Sequence, residues 1–170
     1  NPLNQDNKKT ENNLADKWLD SLPDFDRESI QLFLIEAREH IEKISNGLLS
    51  LEQEHDQEIL DEVFRSAHGI KGSARMVKLK HIARFAHKME DILDSLRNNK
   101  IKSSPTLCDL LLEATDILSD QLILTEAGFK TKPVKGEIIT RLEAAAIGQP
   151  IPSKENGNQE QSSTPPPTIP

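Results

Sequence analysis

Apolar residues recur at helical spacing through the middle of this chain. Ile30, Leu34, Ala37, Ile41, Ile44, Leu48 and Leu51 alternate steps of four and three, behind an acidic start at Asp26 and Glu28, and predict a first helix over 26–54. Leu60, Val63, Ala67, Ile70 and Ala74 carry the same pattern into a second helix that ends near Arg75-Met76-Val77-Lys78. Ile82, Ala86, Met89, Leu93 and Leu96 make the stripe of a third, stopped at Asn98-Asn99. Ser104-Pro105 supplies an N-cap followed by proline at the first helical position, and Leu107, Leu111, Ala114, Leu118 and Leu122 form a fourth helix ended by Gly128. A fifth is expected from about Pro133 to Ile147, with Ile138, Leu142 and Ala145 on one side. No run alternates with the period of a strand and no hairpin dipeptide joins apolar segments, so the fold class is all-α: an up-and-down four-helix bundle with an additional fifth C-terminal helix.

The ends of the chain differ from this middle. Residues 1–25 form an N-terminal extension, polar and expected to be mostly flexible, in which Leu14-Ala-Asp-Lys-Trp18-Leu19 and Ser21-Leu-Pro23 suggest a short helical piece that docks Trp18 on the main domain. The folded domain is expected over 26–147. Residues 148–170 run through Pro150, Pro152, a Gln/Asn/Ser stretch and Pro165-Pro166-Pro167, the composition of a tether to another domain. The missing initiator methionine suggests a piece of a longer protein.

Charge and cysteine usage narrow the partners. A formal net charge of −7, with both signs interspersed, lacks the basic face that nucleic acid or an anionic membrane requires, and no apolar run is long enough to span a bilayer. The single cysteine, Cys108, rules out an intrachain disulfide and sits in an apolar helical run as a small buried hydrophobe; this fits a reducing cytoplasm.

Within the second helix stands Phe64-Arg-Ser-Ala-His68-Gly-Ile-Lys71-Gly72-Ser-Ala74. A mid-helix glycine costs about 1 kcal/mol relative to alanine, so Gly69 and Gly72 beside a titratable histidine suggest that something approaches the backbone closely. At 100° per residue, His68 falls about 120° from the centre of its helix's apolar stripe and Lys71 about 60° from it. On the third helix Glu90 lies about 80° from its stripe, with His87 three residues earlier on the same flank. If the two helices are antiparallel neighbours, His68, Lys71, His87 and Glu90 gather on the outside of the bundle, where another protein can reach them.

These residues carry a resemblance. The His-x-x-Lys-Gly core, followed by Ala86-His87-Lys-Met-Glu90-Asp-Ile-Leu-Asp-Ser-Leu-Arg97, closely resembles the histidine phosphotransfer domain of CheA-type chemotaxis kinases, over about residues 26–147. The N-terminal extension departs from that pattern, because those domains generally begin close to their first helix. The resemblance implies that His68 takes the γ-phosphoryl group of ATP on Nε2 from the ATP-binding domain of a histidine kinase. His68 would then pass it to an aspartate of a response regulator of CheY or CheB type. Glu90 would accept the Nδ1 proton and fix the tautomer, as carboxylates do in other histidine dyads. Lys71 would compensate phosphoryl charge or hold Glu90, and His87 would join the network. Arg65, Gly69, Gly72 and Met76 would meet the partners. No cofactor or metal is expected on this domain; ATP and Mg²⁺ belong to the kinase domain, and Mg²⁺ to the regulator. The parent would be a cytoplasmic kinase associated with chemoreceptor arrays, and the isolated domain a monomer without membrane contact.

Two other readings compete. His68, His87 and Glu90 would give a metal only three mixed ligands with Lys71 beside them to repel it. A plain helical interaction module, or a phosphotransfer domain that has lost its activity, would not need His68, Lys71, Gly72 and Glu90 intact. An autonomous enzyme lacks support, because no glycine-rich phosphate loop or nucleotide signature is present. Arg65 and Ser66 are expected near a partner interface, Met76, Met89 and Phe85 in core or turn packing with Met76 also placed to contact a regulator, and His40, His55 and His81 at the surface.

Overall fold

The computed structural model describes residues 18–154. The expected flexible segment over 1–13, the turn residues 14–17 and the Gln- and Pro-rich run beyond 154 lie outside the described residues. A short 3-10 turn, Leu19–Ser21, precedes five α-helices: α1 (Asp24–Leu51), α2 (Gln57–Met76), α3 (Lys80–Arg97), α4 (Pro105–Glu126) and α5 (Glu137–Ala146). No strand occurs among the described residues.

α1 packs on α2 and α4, α3 packs on α2 and α4, and α5 lies against α3 and α4. Early residues meet late ones at each crossing. Gly47 faces Val63 where His40 faces Gly69, and Asp61 meets Arg97 where Lys71 meets Glu90. α2 therefore runs antiparallel to both α1 and α3, and short loops join the helices up and down. The predicted stripes form the core: Leu34, Ile44, Leu60, Val63, Ile70, Ile82, Met89, Leu93, Leu111, Leu118 and Leu122 are all buried, joined by Phe33, Phe85, Ile92 and Leu110. Each fully buried aliphatic side chain is worth roughly 1.5–3 kcal/mol, so this seam holds the helices together more than intrinsic propensity does.

Local chemistry sets the helix ends. Asp56 caps α2 by accepting from the Glu58 and Ile59 amides at 2.8 and 3.4 Å, and Ser104 caps α4 through the Leu107 amide at 3.1 Å. α1 stops at Leu51, three residues short of the predicted end, because the chain must turn to reach the Asp56 cap. α2 ends in a left-handed turn at Lys78, φ 62°, with the Leu79 amide donating to Ala74 at 2.9 Å. α5 begins only at Glu137, not at Pro133, because Gly136 adopts φ 90° and breaks the expected start. Trp18 docks as expected: its amide donates to the Gly128 carbonyl at 2.9 Å and Leu19 is buried against the core.

Candidate functional site

α2 and α3 carry His68 and Glu90 to adjoining flanks midway along the bundle. Glu90 holds two nitrogens, one on each carboxylate oxygen. Lys71 Nζ donates to Oε1 at 2.7 Å, and His68 Nδ1 lies 3.1 Å from Oε2. The Lys71 and Glu90 side chains are each 12% exposed, whereas that of His68 is 61% exposed. The pair beneath is thus nearly dry and rigid while the imidazole stands in solvent. Of the two roles open to Lys71, the one seen is to hold Glu90. With the carboxylate on Nδ1, the proton belongs on that nitrogen and the Nε2 lone pair is left unprotonated. No hydrogen bond engages Nε2 among the described residues.

His87 does not join this group. Its Nε2 lies 3.4 Å from Asp91 Oδ1, one turn along α3; three residues from Glu90 it sits about 60° round the helix, enough to turn it from the α2 seam. His68, His87 and Glu90 are accordingly not brought together as a metal site. No group of three such ligands is placed to hold a metal among the described residues.

The two glycines have different reasons. At Gly72 a Cβ would meet nothing within 4 Å, so the face beside His68 is open there. At Gly69 a Cβ would lie 2.7 Å from His40 Nε2, and the close approach comes from α1 of this same chain rather than from a partner. His40 is therefore half-buried, not a simple surface residue; it also lies 3.6 Å from Glu36. Arg65 and Met76 are exposed, Met76 at 84%, whereas Ser66 is buried and cannot reach an interface. His55 is exposed as expected. His81 is half-buried, and burial followed by Lys80 and Arg84 holds its pKa below the ordinary value.

One feature of the site was unassigned in the sequence. Phe64 stacks on the His68 ring, with centroids 6.1 Å apart and planes 22° apart. Arg97 lies over Phe64, 4.0 Å from its centroid. Phe64 and Arg97 lie in the 64–74 and 86–97 stretches that carry the resemblance, and an aromatic one helical turn before the histidine is the signal for this contact.

Comparisons with known proteins give the family. The Hpt domain family model matches residues 28–121, over half of the chain. Chemotaxis protein CheA of Cereibacter sphaeroides is 36% identical over 121 residues, covering 69% of this chain and 18% of the relative. The sensor histidine kinase CheAY of Helicobacter pylori is 36% identical over 98 residues, 57% of this chain and 12% of the relative. The gliding motility regulatory protein of Myxococcus xanthus is 36% identical over 117 residues, 68% and 14%. This chain thus spans less than a fifth of each relative. The phosphorylated P1 domain of CheA3 from R. sphaeroides, solved in complex with CheY6, shares the fold with a TM-score of 0.60 at 24% identity, covering 70% of this chain and 92% of that one. The chain belongs to the Hpt domain family.

Proposed function

We propose that this Hpt domain is the phosphoacceptor module of a chemotaxis-type histidine kinase, with His68 as the residue that carries the phosphoryl group. The observation that carries the proposal is the Glu90 carboxylate at His68 Nδ1, which leaves Nε2 free on an exposed ring. In the forward step the Nε2 lone pair attacks the γ-phosphorus of ATP. An N–P bond forms, the bond from phosphorus to the β,γ-bridging oxygen breaks, and ADP leaves with that electron pair. The Nδ1 proton stays in place, and the positive charge gained by the ring faces Glu90. In the onward step an aspartate oxygen of a response regulator attacks phosphorus and the N–P electrons return to Nε2.

Such a transfer runs through a loose transition state that needs positioning and charge compensation, so a few side chains on rigid helices suffice on the acceptor side. Lys71 anchors Glu90 and keeps the local charge balanced. Gly72 and the exposed Arg65 and Met76 leave the α2 face open to the kinase domain and then to the regulator. ATP and its Mg²⁺ are supplied by the kinase's ATP-binding domain, and the second Mg²⁺ by the regulator. The solved P1 domain that shares this fold is itself phosphorylated and bound to CheY6, which supports regulators of CheY type as partners here; regulators of CheB type are proposed alongside them. Among the described residues no helix is long and apolar enough to cross a membrane; we place the parent kinase in the cytoplasm, at receptor arrays.

The test is labelling with ATP and a CheA-type catalytic fragment. The natural sequence takes up acid-labile phosphate and gives it to a regulator of CheY type, and His68→Gln takes up none. Acid-stable label that persists in His68→Gln overturns the proposal.

A further inference from the structure

A hydrogen bond fixes only one direction of a ring. The Glu90 contact holds His68 Nδ1 at a point, but the imidazole remains able to tilt about the line joining Nδ1 to Oε2, and each tilt re-aims Nε2. The ring is 61% exposed, so little packing opposes that motion. Phe64 does oppose it. Its ring lies one turn earlier on α2, within 22° of parallel to the imidazole at a centroid distance of 6.1 Å, an offset arrangement within the favourable range for aromatic pairs.

Phe64 is itself held. The Arg97 guanidinium carbon stands 4.0 Å from the Phe64 centroid, a cation over an aromatic face. Arg97 Nε donates to Asp61 Oδ1 at 2.7 Å, and Gln57 Nε2 reaches the same oxygen at 3.3 Å. Residues 57, 61, 64 and 68 follow one ridge of α2, and Arg97 comes from the last turn of α3. The end of α3 is thereby tied to the phosphoacceptor through a side-chain ladder that does not involve Glu90.

We propose that Phe64, braced by Arg97, is a positioning residue for His68: Glu90 selects the tautomer and anchors one edge of the imidazole, while Phe64 fixes its plane and so the direction of the Nε2 lone pair. The kinetic part rests on the phosphoacceptor role of His68; the spectroscopic part does not.

The experiment compares Phe64→Leu, Phe64→Tyr and Arg97→Met in the full 170-residue chain. The first readout is the ¹⁵N spectrum of the His68 imidazole, giving the Nδ1–H tautomer fraction and its exchange broadening. The second is kcat and KM for the domain as substrate of a CheA-type catalytic fragment with ATP and Mg²⁺. Phe64→Leu is expected to broaden the His68 signals and lower kcat about three- to tenfold with KM within twofold, the span that an aromatic pair's coupling converts to. Phe64→Tyr restores both, and Arg97→Met gives about a twofold loss of kcat. Unchanged ¹⁵N signals and kcat in Phe64→Leu overturn the inference, as does a Phe64→Tyr variant no better than Phe64→Leu. If Phe64→Leu does not fold, Arg97→Met decides, and wild-type signals there overturn the inference. His68→Gln separates the two claims. Label retained in that variant removes the phosphoacceptor role but leaves the ¹⁵N comparison standing, whereas label lost there with Phe64→Leu unaffected removes only the role of Phe64.

Discussion

Two glutamates in this domain make the same connection and serve different ends. Glu90 on α3 takes Lys71 on one oxygen at 2.7 Å and His68 on the other at 3.1 Å. Glu113 on α4 takes Arg141 of α5 at 2.9 Å and Lys154 at 3.1 Å. Each is a carboxylate shared between two nitrogens from another part of the chain. The partners of Glu113 are a guanidinium and an ammonium, groups that only donate. Burial pushes the Glu113 carboxyl up, but the hydrogen bonds and charges of Arg141 and Lys154 outweigh it and hold it below the usual range. Nothing is left over for chemistry, and the contact fastens α5 to the bundle. At Glu90 one cation has been replaced by an imidazole that can be neutral. Lys71 satisfies the carboxylate structurally, and the second oxygen orders a base that faces solvent.

The comparison is broken most directly by truncating each carboxylate. Glu90→Ala and Glu113→Ala both strand a largely buried cation and should each cost about 1–3 kcal/mol of stability in urea titrations. Only Glu90→Ala should slow phosphorylation of His68, by about ten- to hundredfold, the worth of one charge-assisted hydrogen bond to the reacting ring. Glu113→Ala should leave the rate within twofold of the natural sequence. Equal rate losses would mean that Glu90 acts only through the fold.

Acid sharpens the structural half of the pair. Because the folded-state pKa of Glu113 lies below its unfolded value, near 4.5, its stabilisation is fully present above that pH and fades as pH falls through the folded value. Natural protein should exceed Glu113→Gln by about 1 kcal/mol at neutral pH, and the gap should narrow as pH falls below about 4.5 and close below the folded value. A gap that persists in acid would assign the difference to packing of the α4–α5 contact rather than to charge.

Much of this was legible in the chain because single-helix geometry decides it. The four-and-three spacing of Leu60, Val63, Ala67, Ile70 and Ala74 fixes which face of α2 is buried, and His68 follows on the exposed flank. With α2 and α3 antiparallel, Glu90 must come near. What stayed hidden depends on how two faces meet. His87 shares the flank of Glu90 by spacing, yet a residue one turn ahead, Asp91, captures its ring. His40 looked like a surface histidine because its own helix exposes that angle, and only the crossing of α1 over α2 brings it onto Gly69. The start of α5 is not legible in the chain because the left-handed conformation at Gly136 is a property of the loop, not of the apolar stripe that follows.

The His40–Gly69 contact separates packing beneath the site from chemistry upon it. Alanine at 69 adds a methyl 2.7 Å from His40 Nε2, a clash expected to cost about 1–3 kcal/mol before the ring moves aside. Against it stands a gain of about 1 kcal/mol from replacing a mid-helix glycine. Gly69→Ala alone should therefore lose about 1 kcal/mol. With His40→Ala as background the clash is gone and only the propensity gain remains, so the same substitution should stabilise by about 1 kcal/mol. This reversal of sign, measured by thermal or urea unfolding of the four proteins in the cycle, would make Gly69 a packing glycine although it adjoins His68 in sequence. A Gly69→Ala variant destabilised equally in both backgrounds would show that something other than the α1 ring requires the bare backbone there, and would return Gly69 to the phosphoacceptor side of the comparison.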